Sequence, residues 1–132
     1  MVKNITQLGM RGIANDKQAI DNARALHTKI VTSEEIHRRG VAAAIEAIPK
    51  SETIYVTLDV DALDPALAPG TGTLEPGGLN FAEIDELLKG IPSKGKLVGF
   101  DVVEVNPFRD PSGRTAQTAV RLMVDLLGAA FH

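Results

Sequence analysis

Alternating apolar and polar positions predict four β-strands, and apolar residues at helical spacing predict four helices among them. The strands are expected at residues 4–9, 29–31, 52–60 and 96–105, and the helices at 15–26, 33–48, 81–91 and 114–131. The third strand has the clearest pattern, because Ile54, Val56, Leu58 and Val60 share one face. Regular alternation of strand and helix predicts an α/β fold with a parallel sheet and right-handed crossovers.

Capping signals support two of the helix starts. Thr32 with Glu35, and Asn80 with Glu83, have the spacing of an N-cap residue and the N3 residue that hydrogen-bonds back to it. Pro49 lacks a backbone N–H and is expected to end the helix that begins after Thr32.

A long loop at residues 61–79 separates the third strand from the third helix, and its three prolines and four glycines prevent regular structure. The four glycines are Gly70, Gly72, Gly77 and Gly78. They would let the loop backbone approach a metal or a substrate, although tight turns explain them equally well. Asp64 precedes Pro65, a pair that most often begins a turn, so Asp64 is assigned a structural role.

Composition narrows the class of protein. The 132 residues, 44% of them hydrophobic, suffice for the core of a single domain over residues 1–132. A net charge of -3 without a basic run argues against a nucleic-acid partner. No cysteine is present, which excludes disulfides and is compatible with a cytoplasmic location. No apolar segment reaches the ~20 residues that a membrane span needs, so no membrane partner is expected.

Acidic side chains stand at the carboxyl end of the third strand, where open parallel sheets bind their ligands. If the pleat continues through Asp61, the carboxylates of Asp59 and Asp61 point to one side. Together they could hold one hard cation, or two ions ~3.5 to 4 Å apart that share a bridging water. Without compensation, such a pair is costly to bury. Residues of this type also cap helices or lie hydrated on loops, so spacing alone leaves both interpretations open.

Another carboxylate, Glu104, ends the fourth strand, with Asp101 three residues earlier. A carboxylate in this position suits a planar guanidinium, which it binds through two parallel hydrogen bonds. The alternative is an ordinary ion pair with Arg109 or Arg114.

These segments resemble a known family. The segment TLDVDALDPALAPGTGTLEPGGL, residues 57–79, closely resembles the aspartate-rich signature of the ureohydrolases, the arginase and agmatinase family. GFDVVEVNP, residues 99–107, is similar to the last strand of that family. LGMRG and GRTAQTAVRLMVDLL are similar to its agmatinase branch, so the resemblance extends over nearly the whole chain.

The resemblance implies a partial three-layer α/β/α arginase-like fold and hydrolysis of a guanidino compound such as agmatine to urea and an amine. It implies a pair of manganese ions in the complete site, with Asp59 and Asp61 as metal ligands. Glu104 is the candidate catalytic and substrate-binding residue, since it matches the carboxylate that receives the guanidinium. Cations would then compensate the buried charge of the two aspartates.

The resemblance also implies a missing part. The family's other metal ligands come from a Gly-Gly-Asp-His segment and an Asp-x-His-x-Asp segment, and neither occurs in this sequence. His27, His37 and His132 match no ligand position and are expected to be surface residues. The chain is therefore expected to be the C-terminal part of a ureohydrolase, as a fragment or from a truncated gene. We expect weak manganese binding and no activity without the missing half.

The family's strand order places a strand of the missing half between the first two and the last two strands of this chain. Two inner edges would then be exposed, which is a pairing hazard. We expect the chain to close the gap by direct pairing, by strand exchange or by dimerisation, so a homo-oligomer is predicted. A non-catalytic assembly or interaction module derived from the same fold is the alternative function.

Overall fold

The computed structural model describes residues 2–12 and 17–131, and it confirms the predicted α/β order of strands and helices. The strands are β1 (Thr6–Met10), β2 (Lys29–Thr32), β3 (Thr53–Asp59) and β4 (Lys96–Val103). The helices are α1 (Lys17–Ala25), α2 (Ser33–Arg39), α3 (Val41–Glu46), α4 (Phe81–Gly90) and α5 (Arg114–Phe131). Short 3₁₀ helices occupy Val60–Ala62, Ile91–Lys94 and Pro107–Arg109.

The single helix predicted for residues 33–48 is wrong, because the chain forms α2 and α3 there. The two helices meet at Gly40, whose φ of 85° lies in the left-handed region that a glycine adopts without strain. The start of α2 is as predicted, since the side chain of Thr32 accepts a hydrogen bond from Glu35 N at 3.1 Å. Five α-helices therefore replace the expected four within the described residues.

The two C-terminal helices have well-defined ends and apolar faces. At α4, the side chain of Asn80 accepts from Glu83 N and the side chain of Glu83 accepts from Asn80 N, so the predicted capping box is present. The 18-residue α5 buries Ala119, Leu122 and Leu126 at helical spacing. No helix within residues 2–12 and 17–131 is long and apolar enough to span a membrane.

The four strands form two separate parallel pairs. In one pair, Leu8 of β1 lies opposite Val31 of β2; in the other, Val56 of β3 lies opposite Phe100 of β4. Across the described part of the chain, no strand of one pair bonds to a strand of the other. Direct pairing across the gap, one of the three predicted ways of closing it, is therefore wrong for this structure.

One cluster of apolar side chains nevertheless takes in both strand pairs. Its fully buried members include Ile36, Leu63, Leu79, Leu122 and Leu126. Val31 of β2 and Val56 of β3 belong to the same cluster, which packs against α2, α3, α4 and α5. In contrast, α1 buries none of its residues. The interior that positions the strand ends is thus formed by the strands together with α2 to α5, without α1.

Candidate functional site

Parallel pairing brings the carboxyl ends of β3 and β4 to the same edge. Asp59, the last residue of β3, lies opposite Val103, the last residue of β4. Glu104 follows Val103 directly, so the predicted metal-binding and guanidinium-binding residues lie at neighbouring strand ends. This edge is where parallel sheets usually bind ligands.

The backbone turns as soon as β3 ends. Val60–Ala62 form one 3₁₀ turn, and Asp59 caps it by accepting a hydrogen bond from Asp61 N on Oδ1 at 3.0 Å. The expectation that the pleat continues through Asp61 is therefore wrong, because the capping bond favours the turn over the extended strand. Asp59 caps the turn, as the alternative to metal binding predicted. Only its Oδ1 accepts the capping hydrogen bond, and its Oδ2 takes no part in it.

The charges of three carboxylates meet at this turn. The pKa of Asp61 is raised, first by burial and then by the charge and hydrogen bonding of Asp59, with a smaller contribution from Glu104. The nearby Arg11 guanidinium opposes the rise. Asp61 is half-buried, so a negative charge on its carboxylate is poorly solvated. The turn therefore favours a compensating positive charge.

Arg11, just beyond the end of β1, fastens this turn to the other strand pair. Its Nη2 donates to the carbonyl of Asp61 at 2.7 Å and to that of Leu63 at 3.2 Å. The same guanidinium donates to the carbonyl of Glu75 from Nε at 3.0 Å and from Nη2 at 2.7 Å. Sequence reasoning missed this role, although an arginine between Gly9 and Gly12 at a strand end was a usable signal.

The long loop after the turn is closed at its base. Leu63 and Leu79 form an isolated parallel bridge, with Asp64 N donating to the carbonyl of Leu79 at 3.0 Å. The carboxylate of Asp64 accepts from Ala66 N at 3.0 Å and from Gly77 N at 3.1 Å. These backbone donors, Ala66 first, lower the pKa of Asp64. The predicted structural role of Asp64 is confirmed.

Glu104 has an unusual backbone conformation for its residue type. Its φ of 63° lies in the left-handed region, which costs a residue with a side chain of this size free energy. Its side chain is exposed and lines an open hollow of about 370 Å³ together with Gly72 and residues 105–108. Among the described residues, no ion pair joins Glu104 to Arg109 or Arg114, so that alternative is wrong.

A buried network fixes the segment that follows Glu104. Asp110 accepts from Thr115 N at 2.7 Å and from the backbone and hydroxyl of Ser112. The Ser112 hydroxyl first, and then Thr115 N, lower the pKa of Asp110 to about 2. Gly70 N donates to Thr115 Oγ1 at 2.8 Å, and Asn106 N donates to the carbonyl of Gly70 at 2.7 Å. Sequence reasoning missed this network.

The histidines do not add to the carboxylates. His27 and His37 are both exposed, as expected, and His37 Nε2 lies 3.4 Å from Glu83 Oε2, linking α2 to the start of α4. His132 lies outside the described residues. No group of three or more His, Cys, Asp or Glu able to hold a metal ion occurs in residues 2–12 and 17–131. The hard oxygens of Asp59 and Asp61 suit a divalent cation, but they supply only part of a coordination sphere.

Known proteins are similar to this chain over most of its length. A chain of similar sequence, the proclavaminate amidinohydrolase of Streptomyces clavuligerus, is 38% identical over 126 residues, covering 93% of this chain and 40% of the relative. The agmatinase of Chromobacterium violaceum is 36% identical over 128 residues, covering 95% of this chain and 37% of the relative. The chain thus spans about two fifths of the length of these relatives.

Solved structures match equally well. The Streptomyces clavuligerus enzyme superposes with a TM-score of 0.81 at 37% identity, covering 95% of this chain and 41% of that one. The arginase of Bacillus caldovelox superposes with a TM-score of 0.85 at 30% identity, covering 96% and 43%. The model of the arginase family matches residues 1–128. The chain therefore belongs to the arginase family.

Proposed function

We propose that this chain supplies the guanidinium-binding carboxylate and part of the metal site of an agmatinase-like ureohydrolase. The supporting observation is the meeting of Asp59, Asp61 and Glu104 at the paired ends of β3 and β4, in a chain of the arginase family. The relatives are named for reactions on different guanidino compounds, so the substrate class is a guanidino compound, with agmatine as the first candidate.

Asp59 and Asp61 would hold manganese, and the raised pKa of Asp61 supports this assignment. A bound divalent cation would relieve the poor solvation of that carboxylate and, in the complete enzyme, would supply Lewis-acid activation. Two carboxylates leave most positions of a six-coordinate ion to water or to other donors. The isolated chain should accordingly bind manganese weakly.

Glu104 would receive the guanidinium. Its carboxylate is exposed beside an open hollow and carries no ion pair among the described residues, so its oxygens are available to a planar cation. The charge of Glu104 also contributes to the raised pKa of Asp61, which supports a guanidinium held close to the proposed metal ligands.

Calorimetry tests the metal site. Manganese should give a saturable heat with the unsubstituted chain, and the Asp59→Ala, Asp61→Ala double variant should lose it. Asp21→Ala, on the exposed face of α1, is the matched control and should bind as the unsubstituted chain does. Identical traces for the chain and the double variant would refute the assignment.

Urea release tests the catalytic role. Agmatine, arginine and guanidinobutyrate, each with manganese, should give no urea with this chain alone. Urea should form after mixing with the N-terminal part of an agmatinase, and Glu104→Gln should abolish it. Turnover by the chain alone would contradict the proposed dependence on a second part.

A non-catalytic assembly module is the second candidate. The two unjoined parallel pairs support it, because within the described residues each has strand edges that bond to no other strand and could pair with another chain. Self-association without manganese binding or complementation would favour this function over hydrolysis.

A further inference from the structure

The backbone around Glu104 is held from the start of α5. We propose that the Thr115 hydroxyl is a positioning group for Glu104, acting through the backbones of Gly70 and Asn106. This inference rests on the proposed role of Glu104 in guanidinium binding, and it adds a residue on a different element to that site.

Gly70 connects α5 to the segment that follows Glu104, using both its backbone N–H and its carbonyl. Its N–H donates to Thr115 Oγ1 at 2.8 Å, and its carbonyl accepts from Asn106 N at 2.7 Å. Thr115 is only 1% exposed, so water cannot easily replace its hydroxyl as the acceptor. Losing that hydroxyl would leave the buried Gly70 N–H without a partner.

The hydroxyl itself is rigidly placed. Thr115 N donates to Asp110 Oδ2 at 2.7 Å, and Asp110 is 6% exposed and also accepts from Ser112. Asp110 N in turn donates to the carbonyl of Pro107, so the backbone of Asp110 is bonded to the segment that follows Asn106. The first turn of α5 therefore offers a fixed acceptor to the loop.

Residues 70–72 pack closely against both α5 and Glu104, so the position of α5 affects that of the glutamate. A Cβ added at Gly70 would lie 2.7 Å from Asp110 Cβ and 2.9 Å from Thr115 Oγ1. A Cβ added at Gly72 would lie 3.4 Å from Glu104 Oε2. The segment 70–72 thus fills the space between α5 and the glutamate. A residue with φ of 63° persists only when its surroundings hold it there, and Gly72 of this segment lies beside the glutamate carboxylate.

Amide hydrogen exchange and NMR of the full chain test the proposal. Thr115→Val keeps the shape and removes the acceptor, so exchange at the amides of Gly70 and Asn106 should become at least tenfold faster, and the Glu104 amide signal should shift. Thr115→Ser restores a hydroxyl and should restore all three. Thr118→Val, one turn later in α5 and 9% exposed, is the matched control and should change none.

Titration with agmatine measures binding at Glu104, which should not change if the role of Thr115 is purely structural. Thr115→Val should weaken the agmatine-dependent shift of the Glu104 signals at least fivefold in apparent affinity, with recovery in Thr115→Ser. If agmatine leaves the Glu104 signals of the unsubstituted chain unchanged, the proposed guanidinium role fails, while the exchange measurements still decide the positioning.

Two results would overturn the positioning role. One is a folded Thr115→Val chain in which Asn106 exchange and the Glu104 signals match those of the unsubstituted chain. The other comes from the unsubstituted chain and applies if Thr115→Val does not fold. In that chain the amides of Gly70 and Asn106 should be equally protected from exchange, by at least tenfold. An unprotected Asn106 amide refutes the proposal.

Discussion

Two glycines show how differently single positions tolerate a methyl group. A Cβ on Gly78 would lie 2.4 Å from both Asp64 N and Leu63 C, which are backbone atoms that cannot move aside. A Cβ on Gly128, within α5, meets no atom within 4 Å apart from the backbone of its own helix. The loop glycine is therefore required for the chain to pass close to itself, whereas the helical glycine only loses entropy on folding.

Gly78→Ala should lower the free energy of unfolding by at least about 2 kcal/mol, because the backbone must shift to accept the methyl group. Gly128→Ala should raise it by about 0.5 to 1 kcal/mol through helix propensity. Urea unfolding of the two variants beside the unsubstituted chain measures both effects. Equal stability of the two variants would contradict the close approach at Gly78.

Asp61 illustrates a residue whose charge opposes folding. A raised pKa means that the ionised carboxyl destabilises the folded chain at neutral pH, and that the penalty shrinks as pH falls toward the usual range of aspartate. The Asp61 carbonyl accepts a hydrogen bond from Arg11, and the Asp61 N–H donates one to Asp59. Both groups belong to the backbone, so a change of the Asp61 side chain leaves these bonds in place.

In the absence of divalent cations, Asp61→Asn should therefore raise the urea midpoint at pH 7. Manganese at ten times its Kd should stabilise the unsubstituted chain by about 1.4 kcal/mol and Asp61→Asn much less. A variant that is less stable than the unsubstituted chain in a chelating buffer would show that the carboxylates are already compensated within the chain.

At the level of elements, the start of α5 depends on one buried acid. Asp110 stands before α5 and accepts from Ser112 and from Thr115 N, which is one of the first-turn donors that the helix leaves unpaired. Its pKa of about 2 lies below the unfolded value of about 3.9. The stabilisation is thus present above about pH 4 and is lost as pH falls toward 2.

Asp110→Asn should lower the urea midpoint clearly at pH 7, and the difference from the unsubstituted chain should shrink as the pH is lowered from 4 toward 2. Asp21→Asn, on the exposed α1, should show little difference at any pH in this range. The contrary outcome is a difference between the urea midpoints of Asp110→Asn and the unsubstituted chain that is the same at every pH. That result would mean that the charge of Asp110 contributes nothing to stability.

The elements also show which parts of the fold the sequence encodes locally. Alternation in β3, the capping box of α4 and the turn at Asp64 depend on neighbouring residues, and each was predicted correctly. The break at Gly40 was missed because the helical periodicity continues past it. The turn at Val60–Ala62 was missed because apolar alternation reaches Val60 while the cap at Asp59 already ends the strand.

The candidate site was predictable only in part, because some of its contacts join residues that are far apart in the sequence. Strand-end carboxylates can be recognised from local pattern, and the resemblance assigned roles to Asp59, Asp61 and Glu104, which stay predictions. Arg11 contacts residues about 50 positions away, and Thr115 contacts Gly70, 45 positions away. No local pattern encodes such partners, since they follow from how the elements pack.

For the whole molecule, the main question is what lies between the strand pairs. The β1–β2 and β3–β4 pairs share one apolar interior yet do not pair with each other in the described residues. Arg11 connects them, reaching from the end of β1 to the carbonyls that follow β3. The exposed edges make association through strand pairing the expected behaviour of the chain on its own.

The chain should accordingly self-associate as concentration rises, which sedimentation velocity measures. Thr57→Lys places a charge on the exposed face of β3 and should reduce association severalfold. Val124→Lys, equally charged but on the exposed side of α5, should leave association unchanged. A monomer at all concentrations would contradict closure of the gap by dimerisation or strand exchange.

The left-handed backbone at Glu104 has an evolutionary consequence. Glycine at that position would relieve roughly 1 kcal/mol of strain, so in a lineage that no longer needs the carboxylate, selection for stability should favour replacing the glutamate. Descendants of this gene that carry glycine there would mark the loss of chemistry, while those that keep glutamate would record continued selection for an acid at a conformationally costly position.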